Sequence, residues 1–492
     1  MSIWNIDEKK RNIEKLNSNK KVDILIIGAG ITGLTTAYFL KNKNICVVDA
    51  SIIGHGITLN STAKINYLQE NIYNNIISNS SYENATLYLE SQIYASKLLK
   101  EIVLKERINC DLKEVPSYLF SSNEKDILTL KKEVEFLRNN NIDIKSKKII
   151  FNKNNYDAYY VKDTYIFNPI KYLKFLYKKL NSLNIPIYEN TKVLRIQKLK
   201  DKYICFGKNF KITANKVIMA SQYPYFTFPF MLPIKSYIEK SYMVVSRVKK
   251  DKNLTFISLK KPVYSCRFYE NKGKIYQISL AKSHNTAYKQ NDKKHFEDVK
   301  KIFNLKEKDI IMKYSNVDVM TPDSLPYIGE IRKNLYVATG FNTWGMTNGV
   351  LSAKIISDNI LGYKNKYDNL FNPNRITFLN LLKVPAYIFN NLKTILGTKI
   401  FKNKNWYPKN VSFINDNGKS LACFEDENGK KHIVYNKCPH LGCSLLFNEE
   451  EKTWDCPCHS SRFDIDGKCI KGPSNYDISV NNKPLKNDIN IK

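Results

Sequence analysis

The stretch VDILIIGAGITGLTTAYFLKNKNICVVD, residues 22–49, constrains the fold of this 492-residue chain more than any other. Val22–Ile27 is a short apolar run of the kind that forms a parallel strand buried on both faces. Gly28, Gly30 and Gly33 follow in G-x-G-x-x-G spacing. A helix is expected over Thr32–Leu40, and a second strand over Ile45–Val48 ends at Asp49. Each part has a task. Gly28 permits the tight turn, Gly30 lets backbone approach a pyrophosphate, and Gly33 lets the helix lie close to the strand. The helix N-terminus offers its N–H groups and positive dipole end to the phosphates. Asp49 is placed to accept hydrogen bonds from a ribose hydroxyl pair. A glycine triplet alone is weak evidence. Strand, triplet, helix and acid in this order indicate dinucleotide binding.

A second glycine-rich helix start lies far along the chain, in LYVATGFNTWGMTNG at 335–349. A strand over Leu335–Ala338 leads into Gly340, and Gly345, Met346 and Thr347 open a helix expected to run through Ile360. An N-terminal cradle paired with a late strand–glycine–helix resembles the D-amino-acid oxidase-like family of FAD-dependent oxidoreductases. Further matches are SIIGHGITLNSTAK (51–64), TKVLRI (191–196), VIMASQYPY (217–225) and MTPDSLPYIGEI (320–331).

The resemblance implies FAD as cofactor. It also implies an α/β FAD-binding domain of Rossmann-like, glutathione-reductase type, with an α+β substrate domain inserted at about 80–190 and 225–320. The oxidoreductase would span 21–362, after an N-terminal arm at 1–20. Val193, in a strand, would meet the adenine through its backbone. PVYSCRFYENKGKIYQISLAKSHNTA (262–287) reads as a hairpin turning near Gly273. Arg267 on its first strand is the candidate catalytic residue, because the family often holds a substrate carboxylate with an arginine; a surface strand arginine is the alternative. His55 falls near the flavin in this resemblance, as a stacking, attachment or plain packing residue, and His284 carries the same ambiguity.

Near the C-terminus the chain reads CPHLGCSLLFNEEEKTWDCPCHSS, residues 438–461. Cys438-x-His440 and Cys456-x-x-His459 each offer one thiolate and one imidazole. Two thiolates and two imidazoles suit a [2Fe–2S] centre, with the histidines raising its potential. Zinc also accepts two cysteines and two histidines. Common zinc motifs pair like with like along the chain, whereas here the order alternates. The boxes resemble those of disulfide-containing Rieske proteins, as in cytochrome bc complexes. That resemblance implies Cys438, His440, Cys456 and His459 as ligands, Cys443–Cys458 as a disulfide, and Gly472-Pro473 as a covering loop. It also marks two departures. Ser460 replaces a glycine, and Phe463 stands where high-potential members carry a tyrosine, one hydroxyl donor fewer. The potential is therefore expected to lie below that of the respiratory-chain type. The small all-β Rieske domain would occupy 409–492, after a linker at 363–408.

Composition narrows the function. The formal net charge is +32, but the lysines are scattered among Asn and Glu and no nucleic-acid recognition motif accompanies them, so no nucleic-acid partner is expected. No run approaches the roughly 20 apolar residues of a membrane span. The N-terminus lacks an apolar signal core, so a cytoplasmic protein is expected, with at most peripheral membrane contact through the apolar, basic segment 376–400. A Rieske oxygenase needs a mononuclear iron held by two histidines and a carboxylate, yet His55, His284, His295 and His432 include no closely spaced pair. A second cradle for NAD(P)H is missing. The whole chain resembles a bacterial and archaeal family that fuses a D-amino-acid oxidase-like flavoprotein to a Rieske domain. This implies oxidation of an amine or amino acid at FAD, with electrons leaving through the cluster to an external protein or quinone. A non-catalytic redox sensor or electron-transfer module serving a protein partner is the alternative.

Overall fold

In the computed structural model the apolar run at Val22–Ile27 is the inner part of a strand, Lys20–Ile27, that lies at the centre of a largely parallel sheet. It pairs in parallel with Ile45–Val48 on one side and Lys211–Met219 on the other. Ile187–Tyr188 and Leu335–Thr339 extend the parallel part outward. The described residues are 2–5, 14–121, 123–151, 153–223, 235–259, 263–285, 292–375, 407–416, 418–440, 442–458 and 460–480. The chain divides into two units, Met1–Ser283 with His295–Lys383, and His284–Lys294 with Val384–Lys492.

The first unit carries a second sheet of eight strands. Its strands come from Ser117–Phe120, Lys145–Phe151 and Asn154–Val161, and from Tyr237 onward to Met320. Thr255–Ser258 pairs in parallel with Ser117–Phe120, whereas Tyr237–Val248 with Ile310–Met320, Tyr264–Asn271 with Thr255–Ser258 and Lys274–Asn285, and Asn154–Val161 with Ser117–Phe120 and Lys145–Phe151 pair antiparallel. The hairpin expected at 262–287 forms as Tyr264–Asn271 and Lys274–Asn285, with Gly273 in the turn at φ +73°. This sheet is narrower in sequence than the expected insertion. The helix Pro169–Ser182 and the strand Ile187–Tyr188 belong instead with the nucleotide-binding sheet.

Two expected boundary segments are integral to this unit. In the arm, Ile3 and Trp4 are buried, and the Trp4 indole N–H donates to the Ser61 carbonyl at 3.0 Å. In the first part of the linker, Leu370 and Phe371 are buried, and Arg375 forks onto the buried Asp323 at 2.8 and 3.0 Å. A paired guanidinium of this kind fixes the turn at 320–331. Residues 376–406, including the 376–400 segment, lie outside the described residues. Among the described residues no helix is long and apolar enough to cross a membrane.

The second unit holds two small antiparallel sheets. One has Val411–Asp416, Lys419–Glu425 and Lys431–Tyr435; the other has Leu446–Asn448, Thr453–Asp455, Arg462–Asp464 and Cys469–Lys471. Trp454 and Phe463 are register partners and are fully buried, so the second sheet has an aromatic centre.

Candidate functional site

The cradle is built from close approaches that only glycine tolerates. A Cβ on Gly33 would stand 1.8 Å from the Gly28 carbonyl oxygen, and one on Gly28, at φ +114°, would stand 2.7 Å from the Ala220 oxygen. A Cβ on Gly30 would lie 3.1 Å from Thr58 Oγ1, filling the space above the helix start. The helix runs Ile31–Phe39, one residue earlier than expected, because Gly30 is its N-cap. Asp49 closes the cradle from the next strand. Its carboxylate accepts from Ala29 N–H at 2.7 Å and from Ser51 N–H at 2.8 Å. Burial raises its pKa, and these two N–H groups oppose that rise. A carboxylate has about four acceptor sites, so two remain for hydroxyls.

Val193 is buried beside this site, but not in a strand. Thr191 N–H donates to the Asp49 carbonyl at 2.7 Å and Leu194 N–H to the Phe206 carbonyl at 2.7 Å, and only then does the strand Arg195–Leu199 begin. His55 is exposed, with Ser51 Oγ 3.2 Å from its Nδ1, so it is not a packing residue. His284 is partly buried near the end of the hairpin's second strand.

The second helix start converges on the first. The helix Gly345–Leu361 has Trp344 as its N-cap residue, with no side-chain cap bond, and Gly340 precedes it at φ +71°. A Cβ on Gly349 would lie 2.7 Å from Ile31 Cγ2 and 3.0 Å from Thr32 Oγ1. The two helices therefore touch within their first turns, a contact that no motif reading of Gly349 supplied. Thr347 Oγ1 accepts from Asn66 N–H at 3.3 Å, which ties this start to the segment after Lys64. Both helix ends thus offer their positive poles within one region, as a ligand with a pyrophosphate and a second polar end requires. The residues fit FAD.

An open cavity lies against this second helix start. Trp344, Gly345 and Met346 line it, together with one face of the second sheet. Arg267 does not line it. Its guanidinium is buried 4.8 Å from the Trp4 ring, and Nη1 donates to the carbonyls of Thr62, Ala63 and Phe167 at 3.0, 2.7 and 3.2 Å. The expectation of a carboxylate clamp therefore gives way to a brace that holds the backbone entering Lys64. The carbonyls that occupy Arg267 come from residues about 100 and 200 positions away, beyond the reach of a reading of its own hairpin.

Lys64 is the residue that motif reading missed. It is the only cationic side chain among the described residues lining the cavity. Its Nζ donates to Ser265 Oγ and lies 5.6 Å from the Trp344 ring centroid. Burial pushes its pKa down to about 8. It ends the 51–64 segment that the sequence singled out, and a lysine in that otherwise neutral run was the available signal.

The C-terminal box folds as two loops. Cys438 N–H donates to the Cys443 carbonyl at 2.8 Å, and Gly442 N–H to the Cys438 carbonyl at 2.9 Å. Cys456 N–H donates to the Ser461 carbonyl at 2.7 Å, and Ser460 N–H to the Cys456 carbonyl at 2.9 Å. Cys443 and Cys458 are joined by a disulfide between the loops, while Cys438 and Cys456 stay outside it, both buried. The sulfurs of Cys443, Cys456 and Cys458 lie within 4.8 Å of one another, so the bridge sits against one candidate ligand. Burial lowers the His440 pKa to about 4, which keeps the imidazole neutral, the form that binds metal. His459 lies outside the described residues. The disulfide consumes two of the box's four cysteines. One thiol per loop remains, alongside His440, and this donor set fits a cluster with mixed thiolate and imidazole ligands.

The loop at 456–461 is held at its base by register partners Asp455 and Arg462. Arg462 forks onto Asp455 at 2.9 and 2.9 Å and reaches Glu451 at 3.0 Å. Ser460 adopts φ +56°, the left-handed region that glycine favours. That is the physical content of its departure from the box. Ser461 Oγ accepts from Ser474 N–H at 2.9 Å, which ties the loop to the segment after the Gly472-Pro473 peptide bond, which is cis.

Comparison with known proteins separates the same two parts. Residues 23–359 match the family described as FAD dependent oxidoreductase, and residues 398–482 the Rieske [2Fe-2S] domain. A Bacillus subtilis (strain 168) protein named for a Rieske 2Fe-2S iron-sulfur centre, YhfW, is 29% identical over 490 residues, 96% of each chain. Cytochrome b6-f complex iron-sulfur subunit 2 of Trichormus variabilis is 36% identical over 55 residues, 11% of this chain and 31% of that one. Glycine oxidase from Geobacillus kaustophilus shares the fold with a TM-score of 0.62 and 17% identity, covering 73% of this chain and 100% of that one. L-amino acid deaminase from Proteus vulgaris follows at a TM-score of 0.58 and 15% identity, over 75% and 100%. With a match that takes in both glycine-bearing helix starts, and a second that takes in both cysteine loops, the chain belongs to the FAD dependent oxidoreductase family and carries a Rieske [2Fe-2S] domain behind it.

Proposed function

We propose that this oxidoreductase takes electrons from an amine or amino acid and delivers them through its Rieske centre to an external acceptor, a protein or a quinone. The observation that carries the reading is the cavity against the Gly345–Thr347 helix start. It is walled by hydrogen-bonding side chains and holds a buried lysine. Solved structures of the same fold include a glycine oxidase and an L-amino acid deaminase, which supports the substrate class.

When bound, FAD accepts two electrons from a substrate carbon and the cluster passes them on singly. The chain's own residues do the rest. Gly28, Gly30, Gly33 and the Ile31–Phe39 helix would hold the pyrophosphate, Asp49 a ribose, and the backbone at Val193 the adenine. Gly340, Gly345, Met346 and Thr347 would hold the opposite end. Lys64 is placed to exchange a proton with a substrate amine or to pair with a carboxylate, and Arg267 keeps its backbone in position. Cys438, His440, Cys456 and His459 would hold the cluster, with Cys443–Cys458 clamping the loops.

Anaerobic mixing of the purified holoprotein with panels of amines, amino acids and reduced electron carriers tests this. Bleaching of the flavin absorbance by members of the first two panels is expected, followed by reduction of the cluster in the same chain. Bleaching only by reduced carriers would overturn the reading in favour of a redox module. Stoichiometric peroxide formation that does not need the cluster would overturn the relay.

A further inference from the structure

The helix Ile72–Asn79 and the turn before it supply one side of the cavity, which Gln69, Glu70, Asn71, Ile72 and Asn75 line. A helix start leaves its first N–H groups without partners inside the helix, and the N-cap side chain usually takes one of them. Here it does not. Asn71 is the N-cap residue, but its side chain makes no cap bond, and its Nδ2 donates instead to Asn75 Oδ1 at 3.1 Å. The cap comes from another helix, Glu124–Asn139. Glu133 Oε1 accepts from Tyr73 N–H at 3.0 Å, and Oε2 from Asn74 N–H at 3.0 Å. Asn74 Nδ2 also donates to Oε2.

Glu133 is fully buried, and among the described residues no lysine or arginine pairs with it. Burial pushes its pKa up to about 8; the three N–H donors oppose the rise, and the like charge of Glu70 adds to it. A neutral side chain would cap the helix without the cost of a buried charge. What the carboxylate adds is acceptors on both oxygens, so that both backbone N–H groups are held at once. An amide has one oxygen and turns a donor towards the other N–H. The far end of the turn is fixed independently. Gln69, 1% exposed, accepts from the Tyr88 hydroxyl at 2.8 Å and donates to Gln92 Oε1 at 3.0 Å. Between the two anchors Glu70 sits at φ +59°, in the left-handed region, a conformation that persists only where its surroundings impose it. Without the Glu133 anchor this turn relaxes, and the lining residues from Glu70 to Asn75 shift with it.

We propose that Glu133, as a carboxylate, is a positioning residue for substrate. It does not line the cavity. It holds the helix start behind the lining, and so sets half-saturation rather than the limiting rate. The inference rests on the cavity being the substrate site of the amine-oxidation reading above.

The test uses the holoprotein with Glu133→Gln, which keeps the shape and one acceptor, at pH 6 and pH 9, on either side of the Glu133 pKa. Anaerobic flavin reduction by the amine and amino-acid panels gives half-saturation and limiting rate. Perturbation of the flavin absorbance by benzoate gives a dissociation constant without turnover; benzoate serves because Lys64 offers the cavity's lining a cation for its carboxylate. At pH 9 the variant should raise half-saturation and the benzoate constant about tenfold, the scale of one lost charge-assisted hydrogen bond, and keep the limiting rate within about threefold. At pH 6 the wild-type carboxyl is neutral and resembles the amide, so the two proteins should agree within about twofold. Each comparison is made at one pH, so the titration of Lys64 and Glu70 is common to both proteins. A variant that loses stability yet keeps both constants at pH 9, or that differs equally at both pH values, would make Glu133 a structural cap only and overturn the inference while the amine reading stands. If no amine reduces the flavin, yet benzoate binding weakens at pH 9 alone, the positioning role stands and the amine reading falls. If neither amines nor benzoate act on the wild-type flavin, both fall. Should Glu133→Gln fail to load FAD, Asn74→Ala removes a single donor and carries the pH 9 comparison with a shift of about threefold. Failure of that variant as well would overturn the inference.

Discussion

Replacing Lys64 by Met should make the flavin unit more stable and less active at the same time. Lys64 is 7% exposed, and burial lowers its pKa from 10.5 to about 8, with the Arg267 guanidinium adding to the fall and Glu70 and Cys266 opposing it. The gap between 10.5 and about 8 means that the charged form is disfavoured by about 3 kcal/mol in the folded state. Below pH 8 both folded and unfolded chains carry the proton, and the penalty stands in full. Between about 8 and 10.5 the unfolded chain binds the proton more, so wild-type stability rises with pH across that window. Met keeps the volume and drops the charge, but leaves Ser265 Oγ without its donor, a loss of about 1 kcal/mol. The net expectation at pH 7 is a gain of about 2 kcal/mol that disappears by about pH 10.5. Urea titrations of the flavin unit at pH 7 and pH 10, followed by release of the flavin, measure it. The same change should cut the rate of substrate-driven flavin reduction by roughly 100-fold, the scale of one lost acid–base group. It should also abolish an alkaline rise with a midpoint near 8. A Lys64→Met protein that is less stable at pH 7, or that keeps both the rate and the pH profile, would refute the reasoning.

Other residues make separate predictions. Arg267→Met strands the carbonyls of Thr62, Ala63 and Phe167 and should cost the flavin unit on the order of 3 kcal/mol and much of its FAD content, whereas a carboxylate clamp would raise half-saturation for acids alone; equilibrium unfolding and flavin content separate the two. Ser460→Gly should stabilise the Rieske unit by about 1 kcal/mol, because glycine carries no Cβ penalty at φ +56°; a fall in stability would count against the left-handed loop. Phe463→Tyr should raise the cluster midpoint potential on the order of 50 mV, from a hydrogen bond worth about 1 kcal/mol more in the reduced state; a redox titration followed by the cluster's absorbance or electron paramagnetic resonance signal decides it.

What could be read in advance follows from how far apart the cooperating residues lie in the chain. Gly28, Gly33 and Asp49 act within one βαβ stretch, so their spacing alone predicts a turn, a close helix and an acid that the fold reproduces within a residue. The hairpin at 264–285 is local in the same sense. Lys64 is the opposite case. It sits on a two-residue strand, and what makes it a candidate is Ser265 and Trp344, brought to it from far along the chain. Arg267 was misplaced for the same reason. The sequence placed it on the hairpin's first strand, but a hairpin says nothing about backbone carbonyls arriving from Thr62 and Phe167, nor about a tryptophan arriving from position 4.

Ser460 shows a third kind of legibility, in which the departure is visible and its meaning is not. Read as a side chain, a serine in place of glycine beside the ligand boxes suggests one more hydroxyl near the cluster. The backbone says otherwise. At φ +56° the position selects for conformation, and its N–H closes the loop on the Cys456 carbonyl at 2.9 Å. Ser461 is the hydroxyl with a structural tie, to Ser474 N–H. The Ser460→Gly and Phe463→Tyr changes should therefore separate cleanly. The first should move stability and leave the potential in place; the second should move the potential through a donor built on a buried register partner of Trp454. A potential that shifted with Ser460→Gly as much as with Phe463→Tyr would mean that loop geometry, rather than hydrogen-bond donation, sets the potential of this centre.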